Sequence, residues 1–332
     1  MKALIINEFG KSDVFTGMEI PRPKVIDGHI LIRVMASSVN PIDIKIRSGL
    51  VKAAAPDFPA VLHGDVAGIV EEIGKGVTEF KVGDEVYGFA GGMKGLGGAL
   101  GQFLLADASL LAPKPPNLSF QEAAALPIVS ITAWEALVKR GNLQAGEKIL
   151  IHGATGGVGH IGIQIAKSIG AKIFVTGSSQ EKLDIAKKLG ADIGINYKSE
   201  SVEDYVNRYT NGRGFDLIFD TVGGPNLDKS FKAAALNGRI LTTNARSSHD
   251  LSLLHAKGLT LHVIFIAIGI LHNINWKDYS KTLGQINKLV ENNQLKPLMD
   301  KNVFGFSQII QAHDYLESGQ AIGKVSLVND LG

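Results

Sequence analysis

No cysteine occurs among the 332 residues of this chain. That absence excludes disulfide scaffolds, cysteine-ligated zinc, iron–sulfur clusters and thiol catalysis. It fits a cytoplasmic location, which is the expectation here. Charge imbalance is also missing. The 34 basic and 32 acidic side chains leave a net charge of +2, too little to argue for a nucleic acid or an anionic membrane as partner. Long apolar runs are missing too. The longest, LTLHVIFIAIGIL at 259–271, is too short to cross a bilayer and carries His262. A buried strand is expected there instead. The first residues, MKALIINEFGKSD, lack the pattern of a secretory signal and read as an edge strand. There is no internal repeat and no G-x-S-x-G nucleophile elbow. The nine histidines contain no H-x-x-x-H pair.

What is present has two characters. With 45% hydrophobic and 20% charged residues, the chain can bury a sizeable core, and its length suits two domains. Residues 1–125 hold short strands (KALIINEF, HILIRVMASSV, AGIVEEIG, DEVYGF, GQFLLADASLLAP) punctuated by Gly, Pro and Asp. GKGVTEFKVGDEVYG reads as a hairpin turning at Gly83-Asp84. Tight turns over this length predict a small, partly open barrel. From about 120 strand and helix alternate. Strands are expected at 148–152, 172–176, 193–195, 216–219, 238–242 and 260–266, and helices at 120–138, 158–169, 180–189, 201–209 and 225–236. Val158, Ile161, Ile165 and Ile169 recur at helical spacing. This alternation predicts an α/β, doubly wound parallel sheet. After 270 a polar helix near 278–292 leads through FSQIIQAHDYLESG to a last strand, GKVSLVND. The glycine patch GFAGGMKGLGGALG at 88–101 reads as a mobile loop.

The most specific stretch is IHGATGGVGHIGI at 151–163. A strand runs into a glycine turn and a helix leaves it. Such a unit offers unpaired backbone N–H groups and the positive end of a helix dipole to a dinucleotide pyrophosphate. Ala154 replaces the first glycine of the usual fingerprint. Gly156 is expected to let the turn close, Gly157 to let backbone approach the phosphate, and Gly159 to let the helix pack on its strand. Ala154, Thr155, Gly156, Gly157 and Val158 are the expected cradle.

Seven strings follow one another in fixed order: VNPIDIKIRSG at 39–49, AGIVEEIG at 67–74, FKVGDEVYG at 80–88, ALPIVSITAWEAL at 125–137, HGATGGVG at 152–159, FDTVGG at 219–224 and GKVSLV at 323–328. Together they resemble the medium-chain dehydrogenase/reductase superfamily, and within it the zinc-independent, zeta-crystallin-like quinone oxidoreductases. The resemblance covers essentially the whole chain. It implies a Rossmann sheet inserted in a GroES-like β-barrel domain, with a first catalytic part at 1–125, a cofactor-binding domain at 126–266 and a completing segment at 267–332. It also implies a homodimer, paired through the sixth strand.

Zinc-dependent members of that family need a Cys near position 40 and a His in a GHE string before AGIVE. Here Asn40-Pro41 and LHGDVAG stand there. Gly64 takes the ligand's place, and His63 is one residue off, which on a strand points the other way. The four-Cys structural zinc lobe is missing as well, so no metal is expected. Without a Lewis acid to stabilise an alkoxide, the chemistry expected is hydride transfer to a quinone or another α,β-unsaturated carbonyl, whose charge delocalises. The alternatives are a 2-alkenal or enoyl-thioester reductase, and a crystallin-like protein that binds NADPH without turnover.

The cofactor expected is NADP(H). An NAD site carries an acid about twenty residues past the glycines, but Thr176, Gly177 and Ser178 stand there. Ser178, Lys182 and Tyr197 are candidates for the 2′-phosphate, with Ser178 alternatively heading a capping box to Glu181. The resemblance adds Asn40 and Thr132 beside the nicotinamide. Asp220, Val222 and Gly223 follow the fourth strand, at the carboxyl edge of the sheet where ligands bind, and Phe265, Ile266 and Ala267 on the sixth are expected to offer backbone to the carboxamide. Asn40, Asp43 and Lys45 are the catalytic candidates. Lys45 replaces a tyrosine found in several relatives. Leu100 and Gln102 depart from the family's substrate-pocket pattern.

Overall fold

The computed structural model describes residues 1–332. The chain divides into two compact units, Met1–Ile128 with Ala267–Asn293 and Met299–Gly332, and Val129–Ile266 with Gln294–Leu298. It runs β1 (Lys2–Ile6), β2 (Thr16–Glu19), β3 (His29–Ser38), α1 (Pro41–Arg47), β4 (Ala60–Val61), β5 (Asp65–Ile73), β6 (Glu85–Phe89), β7 (Phe103–Asp107), β8 (Leu111–Pro113) and α2 (Phe120–Ala124). There follow α3 (Pro127–Trp134), β9 (Lys148–His152), α4 (Gly157–Ile169), β10 (Lys172–Gly177), α5 (Gln180–Leu189), β11 (Ile193–Asn196), α6 (Val202–Thr210), β12 (Phe215–Asp220), α7 (Asn226–Ala233), β13 (Ala234–Thr242), α8 (Ser252–Ala256) and β14 (Thr260–Val263). The chain then continues through α9 (Ile268–His272), α10 (Lys277–Glu291), β15 (Met299–Gly305), α11 (Ile309–Glu317) and β16 (Lys324–Val328).

In the first unit a seven-stranded sheet has the order β15-β16-β3-β5-β6-β8, with β7 also on β3. Ile30, Ile32 and Val34 of β3, Val66 and Val70 of β5 and Val86 of β6 are buried. Each such side chain contributes about 1.5–3 kcal/mol. The hairpin of β5 and β6 is antiparallel, with Gly83 at φ +91° in its connection. The last strand completes what the first strands begin. β16 pairs antiparallel with β3, Ser326 opposite Ser38. That register brings position 324 beside position 40.

The second unit is a six-stranded sheet in the order β11-β10-β9-β12-β13-β14, parallel throughout. This is the doubly wound arrangement. Its order reverses between β9 and β12, the switch point beyond whose carboxyl ends ligands bind. One face buries Leu150, Phe174, Ile195, Phe215, Ile218 and Phe231.

Several local expectations are corrected. The helix expected over 120–138 is broken before Pro127, whose ring disfavours helix in the residue ahead of it. It then resumes and widens into a π turn at Glu135–Arg140, where the Gly141 N–H donates to the Ala136 carbonyl at 2.6 Å. The first strand is central, not an edge: β1 lies between β2 and β4. The apolar run at 259–271 is not a buried strand. β14 ends at Val263, forms one edge of the sheet, and leaves Val263 57% and Phe265 43% exposed. The glycine patch is packed in place. A Cβ on Gly98 would fall 1.9 Å from the Leu62 carbonyl oxygen, and one on Gly92 2.6 Å from the His63 backbone. Glycine serves close approach there, not mobility.

Candidate functional site

In the second unit, β9 ends at His152 and α4 begins at Gly157, with Gly156 as its N-cap. No side chain caps this 13-residue helix. Its first-turn N–H groups therefore remain directed outward, with the dipole's positive end among them. The glycine roles differ from those expected. Gly153 closes the turn, at φ +75°, whereas Gly156 has φ −80°, open to any residue. Gly159 behaves as expected: a Cβ there would lie 2.1 Å from the Gly153 carbonyl oxygen. Ala154 and Thr155 are buried within the turn.

Neighbouring strand ends complete the edge. Asp220 lies opposite His152 in register. Its carboxylate is fully used: Oδ1 accepts from the Val222 and Gly223 N–H groups, both at 2.9 Å, and Oδ2 from Asn226 Nδ2 and Ser230 Oγ. Asp220 therefore shapes the turn that carries Val222, which is 49% exposed. Sequence reading passed over His152. Its Nδ1 meets Thr176 Oγ1 at 2.9 Å, its Nε2 has no partner, and burial pulls its pKa down to about 4, so it is neutral.

At the end of β10, Gly177 is buried, and a Cβ there would meet the Leu183 side chain at 2.7 Å. The capping alternative for Ser178 is overturned. Helix α5 starts one residue later than that box requires, and Ser179 is its cap, its Oγ accepting from the Lys182 N–H. Ser178 is half-buried and takes no part in the cap. Tyr197 donates its N–H to the Gly177 carbonyl at 3.3 Å and exposes 49% of its surface. Register thus groups residues 154–158, Gly177, Ser178, Lys182, Tyr197, Asp220 and Val222 at one sheet edge. Thr132 is buried in α3. Phe265 and Ile266 lie past the end of β14 rather than on it, and Ala267 is buried at the cap of α9.

The first unit holds Asn40, Asp43 and Lys45 on α1 and its cap. Pro41 starts the helix. Asp43 Oδ2 accepts the Asn40 N–H at 2.8 Å, so Asp43 does cap. Lys45 is half-buried. Three residues missed in the sequence surround them. Lys324 Nζ donates to Asn40 Oδ1 and, at 3.5 Å, to Asp65 Oδ2. Asp65 Oδ2 also accepts from Asn40 Nδ2 and Ser38 Oγ, both at 2.8 Å, and Oδ1 from the Ile128 N–H at 2.9 Å. Asn40, Asp43, Asp65 and Lys324 are all at most 3% exposed. Burial, reinforced by the Asp65 charge, pushes the Asp43 carboxyl up to about 7. Burial lowers the Lys324 ammonium, against the pull of both carboxylates.

Beside this cluster lies a chain of neutral imidazoles. His63 is not on a strand; it sits before β5 at φ +71°. Its Nε2 meets His313 Nε2 at 2.9 Å. Ser37 Oγ donates to the Asp65 carbonyl at 2.7 Å, which spends its only proton. One polarity satisfies the rest. Arg47 donates to His313 Nδ1, His313 Nε2–H to His63 Nε2, and His63 Nδ1–H to Ser37 Oγ, with Arg47 also paired to Glu317 at 2.9 Å. Burial, with the Lys324 charge, pulls His63 down to about 3. Both nitrogens of His63 are thus engaged, Gly64 has no side chain, and the Asn40 oxygen holds an ammonium. The positions aligned with the family's zinc ligands offer no open donor. Gln102, a departure from the family's pocket pattern, donates to the Gly332 carbonyl and accepts from the Lys2 N–H.

Residues 157–288 match the zinc-binding dehydrogenase family and residues 26–116 the alcohol dehydrogenase GroES-like domain. The chain is 35% identical to 2-methylene-furan-3-one reductase of Solanum lycopersicum, over 98% of this chain and 78% of that protein. It is 30% identical to quinone oxidoreductase of Rattus norvegicus, over 99% and 98%. Escherichia coli quinone oxidoreductase, solved with NADPH, superposes with a TM-score of 0.88 at 26% identity, over 99% and 100%. These likenesses run the length of the chain, through both the barrel strands and the glycine turn. The protein accordingly belongs to the medium-chain dehydrogenase/reductase family, among the relatives of its quinone oxidoreductases.

Proposed function

We propose that this oxidoreductase uses NADPH to reduce a quinone or a similarly conjugated carbonyl. The observation that carries the reading is the uncapped start of α4 above the Gly153 turn, beside a β10 end that has Ser178 and no carboxylate. The helix end and Gly159 fit a pyrophosphate, since a Cβ at 159 would fill the space the turn needs. Ser178, Lys182 and Tyr197 would receive the 2′-phosphate, and the missing acid removes the repulsion that would exclude it. Bound there, the cofactor supplies hydride from C4 of its nicotinamide. The family resemblance is the ground for assigning Asn40 and Thr132 to that ring and the backbone of Phe265 to Ala267 to its carboxamide.

A second reading, reduction of a 2-alkenal or enoyl thioester, has support in the furanone reductase relative and in Lys45. Reducing a carbon–carbon double bond needs a proton at carbon as well as hydride, and Lys45 sits half-buried in the last turn of α1. The open edge of β14, with Val263 and Phe265 exposed, supports pairing with a second copy, since an unpaired edge is otherwise a liability. No helix is long and apolar enough to cross a membrane, and the cysteine-free sequence suits the reducing cytoplasm.

The test is NADPH consumption against ortho- and para-quinones, 2-alkenals, enoyl thioesters and, with NADP+, plain alcohols. Turnover of quinones above the others is expected. Faster alkenal turnover favours the second reading, and tight NADPH binding with no turnover favours a crystallin-like binder. Alcohol oxidation abolished by a chelator would sink the metal-free reading.

A further inference from the structure

We propose that Lys324 is a positioning residue of this reductase: its buried ammonium fixes the Asn40 side-chain amide in one orientation and gathers Asp43 and Asp65 around it. This rests on Asn40 lying beside the nicotinamide. Lys324 belongs to the last strand, and pairing of β16 with β3 delivers it to a helix cap 284 residues away in sequence. The Asn40 amide then has an ammonium against its oxygen and the Asp65 carboxylate against its nitrogen, the latter at 2.8 Å. A flipped amide would put N–H groups toward the ammonium and its oxygen toward the carboxylate. Both contacts would be repulsive in a site that water does not reach, so one orientation survives.

A core has simpler ways to be stable. Buried ion pairs are often matched or exceeded in stability by apolar residues of the same volume. Here three ionisable groups from α1, β5 and β16 converge on the one asparagine at this helix cap, Lys324 and Asp65 on its side-chain amide and Asp43 on its backbone N–H. The groups facing Asp43 are Asp65 from β5, Lys324 from β16 and Asn40 on its own cap.

The test compares the parent with K324M, K324R, D65N and K324M/D65N; the double variant removes both charges and guards against simple misfolding. Three measurements are made: NADPH affinity by fluorescence, single-turnover hydride transfer to a quinone, and the Asp43 carboxyl titration by carbon-13 NMR. K324M/D65N should hold NADPH within about threefold of the parent. Its transfer rate should fall by about 30-fold or more, as expected for misoriented reacting groups, with KM changed far less. K324R should recover much of that rate. The Asp43 midpoint should rise in K324M, which loses a stabilising cation, and fall in D65N, which loses a repelling carboxylate. A folded double variant that transfers hydride within twofold of the parent overturns the proposal. So does an Asp43 midpoint that moves in neither single variant. Failure of the functional reading looks different: the parent itself binds no NADPH, while the two opposed Asp43 shifts remain.

Discussion

The two units build their polar sites in opposite ways. In the second, the proposed dinucleotide cradle consists of backbone from consecutive residues, and its side chains are small or absent. In the first, the cluster joins the Asn40 amide to three ionisable side chains, from positions 43, 65 and 324, all excluded from water. A backbone cradle needs only a turn, a helix start and room. A buried charged cluster needs every partner present, because each unpaired member is costly. The first kind of site tolerates change in surrounding side chains and fails when a Cβ intrudes. The second fails when any one charge is lost.

The largest effect should come from the first unit. K324M leaves Asp65 at 0% exposure without its cation and should cost about 3–5 kcal/mol of stability by urea unfolding. Equal stability of parent and variant would contradict the contrast. In the second unit, G159V should weaken NADPH binding by about a hundredfold, the scale of a 1 Å displacement at a built site. Fluorescence titration reads this, and parental affinity would show that the cradle does not depend on close approach at Gly159.

The pH dependence of unfolding sharpens the comparison further. His63 titrates near 3 when folded, against an ordinary 6.5. The folded state binds fewer protons than the unfolded between those values, so this contribution is intact above pH 6.5 and lost as pH falls toward 3. Asp43 runs the other way, near 7 when folded against 3.8. Its contribution is intact below pH 3.8 and lost as pH rises through about 7. H63Q should flatten the acid limb and D43N the limb toward neutrality, each by about 1–3 kcal/mol. Unchanged slopes would mean that neither group titrates in the folded protein as its burial requires.

The smallest effect belongs to the cofactor's far end. S178A should weaken NADPH about tenfold, as for one hydrogen bond to a charged group, and K182A about threefold, as for a surface ion pair. NADH affinity should not change in either, and equal losses for both cofactors would remove the 2′-phosphate assignment.

The same contrast decides what could be read in advance. The strand–turn–helix at 148–169 was legible because its atoms are neighbours in sequence and its pattern is periodic. The capping residue was missed by one position, Ser179 rather than Ser178, because either serine suits the sequence and only the helix start chooses between them. Gly153 rather than Gly156 takes the positive φ because backbone conformation depends on how the strand meets the helix. The His63–His313 pair spans 250 residues, and no spacing rule connects its members. Asp220 looked like a ligand-facing acid because strand ends usually are, yet its own turn consumes it.

The sequence by itself determined the doubly wound sheet and the strand–glycine turn–helix unit, because these follow from local periodicity and from glycines placed where side chains cannot go. Tertiary structure alone decided that Lys324 meets Asn40, that two histidines stay neutral in a core, and that β14 is left as an open edge. Those outcomes depend on strand register and order, which bring distant residues into one dry environment where charge and hydrogen-bond polarity leave few alternatives.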